Sequence, residues 1–181
     1  MQYKIIKKFG PGSDGWSEYA AWAGMQACSD FYSIDHMQRT ELFSPVTDED
    51  WGNCTFTDDS RPLIGNLAYA NKVCSRLESA EVVGVIKDPK TENGIIPDCH
   101  ILMGYDILDG YDDISLLTNW GGLKEGIKNL KINSHGLVDD LEHAYQLEHM
   151  LRSEFPEDGH AQACNVWTVF KIVASTNPIL P

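Results

Sequence analysis

The chain has 181 residues, 43% hydrophobic and 10% aromatic. That is enough apolar side chain to bury a core, and a chain of this size typically removes roughly 70% of its unfolded surface from water, which excludes general disorder. The 27 carboxylates against 14 Lys and Arg give a formal charge of −13. Such a surface repels phosphate backbones and anionic lipid and favours basic partners and cations.

In chain order, Tyr3–Phe9 alternates as a strand with lysines mixed in, and Gly10–Gly15 reads as a turn. Trp16–Cys28 has helical spacing. Residues 29–60 are irregular and aromatic-rich, with an N-cap and acidic first turn at Thr47-Asp48-Glu49-Asp50. Leu63–Leu77 carries one apolar stripe, with Pro62 suited to a first helical turn. Glu81–Lys87 is β-branched and predicts a strand, and the prolines of Asp88–Pro97 predict a loop.

Cys99–Leu108 and Asp112–Trp120 flank Asp109-Gly110, a strong two-residue turn signal, and predict a β-hairpin. Leu123–Ile132 fits helix or strand. Leu137–Phe155 predicts a helix stopped by Pro156, and Pro156–His160 a loop. Cys164–Val173 is apolar on both faces, as a covered central strand is. Residues 175–181 read as a tail. This order lacks regular strand–helix alternation. It predicts a single α+β domain over 1–181, with a mostly antiparallel sheet of about five strands and two or three helices packed on it.

An apolar run near 18 residues and a secretory leader pattern are both lacking, so the expected setting is soluble and cytoplasmic. The cysteines (Cys28, Cys54, Cys74, Cys99, Cys164) are scattered without a C-x-x-C pair, so neither a zinc ribbon nor a redox pair is expected. Neither a cofactor nor a metal site is predicted. Gly10-Pro11-Gly12-Ser13-Asp14-Gly15 matches G-x-G-x-x-G, but the lysine-rich strand before it and the N–H missing at Pro11 argue for a plain turn.

In the expected hairpin register Asp106 faces Asp113, with Asp109 and Asp112 close by. Four carboxylates would then crowd one tip. That patch (Asp106, Asp109, Asp112, Asp113) is the expected contact for a basic protein partner. The corresponding function is an acidic cytosolic binding protein, such as an inhibitor or an immunity-type protein neutralising a cationic toxin. The alternative is a small hydrolase-like enzyme using a carboxylate or Cys/His site, with His160, Cys164 and His100 as its candidates.

Overall fold

A computed structural model describes residues 1–35, 49, 52, 54–56, 62–90, 96, 98–112, 114–119 and 131–173. The elements are β1 (Gln2–Lys7), α1 (Trp16–Ala23), β2 (Cys54–Phe56), β3 (Pro62–Ile64), α2 (Leu67–Cys74), β4 (Ala80–Lys87), β5 (His100–Leu108), α3 (Leu141–Glu154), α4 (Gly159–Gln162) and β6 (Asn165–Ile172). The strands form one antiparallel sheet in the order β2-β3-β1-β4-β6-β5. The α+β class expected from the element order is the one found. None of the helices among the described residues is long and apolar enough to cross a membrane.

Register sets the two faces. Ile5 pairs with Val82, Ile86 with Thr168, and Thr168 with Tyr105. At a side-chain period of two, these residues share one face. Two helices lie there: α2 packs Ala70 and Val73 on Ile5, Ile64 and Val82, and α3 packs Leu141, Ala144, Leu147 and Leu151 around Tyr105, Ile107 and Val166. Each large apolar side chain buried this way contributes about 1.5–3 kcal/mol. Asp140 caps α3, accepting from the His143 N–H at 2.7 Å. The other face (Ile6, Val83, Val85, Trp167, Val169) is covered by Tyr32, Ile34 and Leu137 from extended segments. Lys4 is buried on this face with its ammonium 5.6 Å from the Trp167 ring centroid, a cation–π distance that accounts for one lysine of the strand.

Two expected elements are corrected. Pro62-Leu63-Ile64 is not the start of a helix but strand β3, with Leu63 and Ile64 buried on opposite faces. The helix begins at Leu67, where the Asn66 side chain accepts from the Tyr69 N–H at 3.0 Å. The Asp109-Gly110 hairpin does not form either. β5 pairs with β6 from His100 to Leu108, and among the described residues a single bridge, Leu108 to Ser115, joins it to the segment after the turn. Residues 116–119 are turn. β6, with Val166, Trp167, Val169, Phe170 and Ile172, offers β5 a longer and more apolar ladder than the short stretch after Gly110, so the non-local pairing wins. Leu137 and Val138 likewise lie outside α3, and Val138 bridges Tyr105 across the open edge of β5. The expectations for Thr47–Asp50, Leu123–Ile132 and 175–181 fall wholly or largely outside the described residues.

Candidate functional site

Asp106 is fully buried, so it is not part of an exposed patch. A bulge in β5 between Leu102 and Gly104 resets the alternation. Asp106 therefore shares a face with Leu108, and the 31–35 segment closes over it. Its Oδ2 accepts from the Ser33 hydroxyl and the Ile34 N–H, both at 2.9 Å. Its Oδ1 accepts from the Ser115 hydroxyl at 2.7 Å and the Ile107 N–H at 2.9 Å. Buried Asp35 adjoins it and accepts from the Ser115 N–H at 2.6 Å and from the Asn119 amide. Burial raises the Asp106 carboxyl above its ordinary range, against the pull of its hydrogen bonds, and Asp35 raises it further. A group so enclosed ties three segments together and meets neither substrate nor partner.

Asp109 is also buried, and it organises the loop that follows β5. Its Oδ1 accepts from the N–H groups of Tyr111 (3.2 Å), Asp112 (2.7 Å) and Ile114 (3.4 Å). Oδ2 lies 2.8 Å from His160 Nδ1. The next residue must be glycine, because a Cβ at Gly110 would meet the Ala163 carbonyl oxygen and stand 2.7 Å from the Ala163 Cβ. His160 sits in α4, capped by Asp158, which accepts from the His160 and Ala161 N–H groups. The outcome is a loop with fixed backbone that presents two side chains outward. Tyr111 is 56% exposed and Asp112 is exposed. The His160 ring meets the Tyr111 ring edge-on at 5.3 Å.

The expected acidic patch is thus dismantled: Asp106 and Asp109 face inward, Asp112 faces out, and Asp113 lies outside the described residues. Asp109, Asp112 and His160 bring donor atoms within 4.8 Å of one another. Both Asp109 oxygens, however, already accept hydrogen bonds from this loop and from His160. The donor set is committed to holding the loop and is poorly suited to chelation.

His160 does not pair with Cys164. The Cys164 thiol is buried, and burial pushes its pKa up to about 11. A thiol held protonated at neutral pH is no nucleophile, which corrects its candidacy. In native protein Cys164 is accordingly expected to resist Ellman's reagent and to react only as denaturant unfolds the chain. Fast native labelling of Cys164, located by peptide mass, would contradict this burial.

His100 belongs to the opposite end of β5, about 25 Å away at about 3.3 Å per residue. It is buried beside Cys99, with Nδ1 3.2 Å from the sulfur, and its ring packs on Tyr3 and Phe170. Gly84 makes room for it: a Cβ there would stand 3.1 Å from His100 Cδ2. His100 is a core residue and no partner of His160.

Sequence reasoning missed Tyr111. The signal was present, since an aromatic directly after Asp-Gly at a predicted turn has little apolar surface to bury against locally. Comparison with family models, with curated proteins and with solved structures finds no match for the chain.

Proposed function

We propose that the chain is an acidic cytoplasmic binding protein that engages a basic protein partner at the 109–112 loop, in the manner of an inhibitor or immunity-type protein. The observation that carries this reading is an exposed Tyr111 on a backbone already fixed by buried Asp109 and by His160. Tyrosine is over-represented among residues that dominate binding energy, and a preformed loop avoids the ordering entropy of association. Asp112 beside it, within a chain of net charge −13, supplies attraction for a cationic surface.

The test is affinity capture from native lysate at low and at high salt, with wild type and with Tyr111→Ala/Asp112→Lys. A stoichiometric basic protein held by wild type, weakened by salt and lost by the double variant supports the reading. Equal capture by both proteins removes the loop from the interface.

A second reading has its own observation, the 2.8 Å contact between His160 Nδ1 and the Asp109 carboxylate. A buried carboxylate that fixes Nδ1 leaves Nε2 of a ring 45% exposed to exchange protons with a substrate, the logic of a hydrolytic acid–base dyad. A hydrolytic turnover abolished in His160→Gln but kept in Tyr111→Ala would favour it; turnover unchanged by His160→Gln removes it.

A further inference from the structure

A polar cleft of about 240 Å³ opens at the other end of β6, on the face away from α2 and α3. Residues 165 to 171 separate it from the 109–112 loop by about 20 Å of strand. Tyr32 lines this cleft, with the Lys171 ammonium 5.4 Å from the centroid of its ring, and Glu81 lines the same space. Asp30 lies across from Lys171, its carboxylate 3.6 Å from the ammonium, and Lys8 lines the cleft together with Glu81. Phe9 and Phe31 line the cleft, and both rings are anchored in an aromatic cluster with Trp16 and Tyr19.

Size and charge limit the occupant. The volume is below the roughly 300–1,000 Å³ of pockets for drug-sized ligands, so the occupant is metabolite-sized. Two ammonium groups and two carboxyls line one small space. A ligand of a single charge sign would meet a like charge whichever way it entered, whereas one bearing both signs can satisfy each. Burial already holds the Glu81 carboxyl above its ordinary range despite Lys8 and Lys171, so an added ammonium would find a desolvated acceptor. The aromatic wall suits an apolar side chain.

We propose that this cleft binds a free α-amino acid with an apolar side chain, its carboxylate on Lys171 and Lys8 and its ammonium on Glu81 and Asp30. The site goes beyond the binding reading and is independent of the loop that carries it.

The experiment is an amide NMR titration of isotope-labelled full-length chain with leucine, with 4-methylpentanoate (leucine without its ammonium) and with 3-methylbutylamine (leucine without its carboxylate). Leucine is expected to give saturable shifts confined to residues around Lys8, Asp30, Glu81 and Lys171, and each analogue to bind at least about tenfold more weakly. Glu81→Gln should weaken leucine by a similar factor and leave 4-methylpentanoate unaffected. If poor dispersion of its spectrum shows that this variant is unfolded, Lys171→Met takes its place, and it should weaken leucine by a similar factor while leaving 3-methylbutylamine unaffected. Absence of saturation by leucine up to its solubility limit, shifts elsewhere, or equal binding of either analogue overturns the proposal.

Discussion

Replacing Asp106 with alanine is expected to cost about 3–5 kcal/mol of folding stability, because it strips the acceptor from two buried backbone N–H groups and two buried hydroxyls at once. The hydroxyls of Ser33 and Ser115 can rotate to other partners; the Ile34 and Ile107 N–H groups cannot. Asp106→Asn keeps the shape but must turn its NH₂ toward one of those two N–H groups, and is expected to lose about 1–3 kcal/mol. Urea unfolding of the three proteins measures both. An alanine variant within 1 kcal/mol of wild type would mean that the carboxylate does not hold these segments together.

The same residue predicts a pH dependence. Burial raises its carboxyl pKa in the folded chain above that of the unfolded chain, which is near 3.9. Below the unfolded value both states hold the proton, and the folded state has its full advantage. As pH rises from about 4 through the folded value, the unfolded chain releases the proton first, and stability falls. Asp106→Asn should lack this decline, so the difference between wild type and variant should shrink across that window. A difference that is constant with pH contradicts the direction.

Gly104→Ala is the second large effect. The residue sits in the β5 bulge at φ 139°, and a Cβ there would stand 2.7 Å from the Val138 carbonyl oxygen, 2.8 Å from the Leu137 Cβ and 3.1 Å from the Asn133 amide nitrogen. These neighbours are not mobile. Asn133 donates to the Met103 carbonyl and to Asp139 while accepting from His135 and Leu137, which locks the 133–138 strap against the bulge. Backbone strain and overpacking together predict a loss of about 2–4 kcal/mol. Gly12→Ala is the control: its φ is also positive, at 94°, but nothing lies within 4 Å of the added carbon. Equal losses in the two variants by urea unfolding would show that the strap does not press on the bulge.

This bulge also explains what the sequence did and did not disclose. β4, β6 and the body of α3 were legible, because their periodicity is continuous and their burial follows it. Leu63 and Ile64 extend the α2 stripe backward and fit a helix equally well; only the pairing of β3 with β1 and β2 decides against it. Asp106 read as exposed because a carboxylate in an alternating strand is normally on the wet face. The groups that bury it, Ser33 and Ile34, stand more than 70 positions away, and a one-residue bulge sets which face it joins.

Asp109 was singled out for its turn, but its partner His160 is 51 positions distant, so their contact was invisible. The cleft is more scattered still, drawing Lys8, Asp30, Glu81 and Lys171 from four separate segments. Local signals located several of the residues that matter here, whereas their roles came from pairings between distant segments.

The most direct test of the binding account is calorimetric titration of the captured basic partner into wild type, Tyr111→Ala and Asp112→Lys at low and at high salt. Loss of the anchor is expected to weaken binding by about tenfold or more. Charge reversal at Asp112 should weaken it at low salt and less so at high salt, where contacts between exposed charges are screened. Affinities for both variants equal to that of wild type would contradict the account and place the interface away from the loop that Asp109 holds.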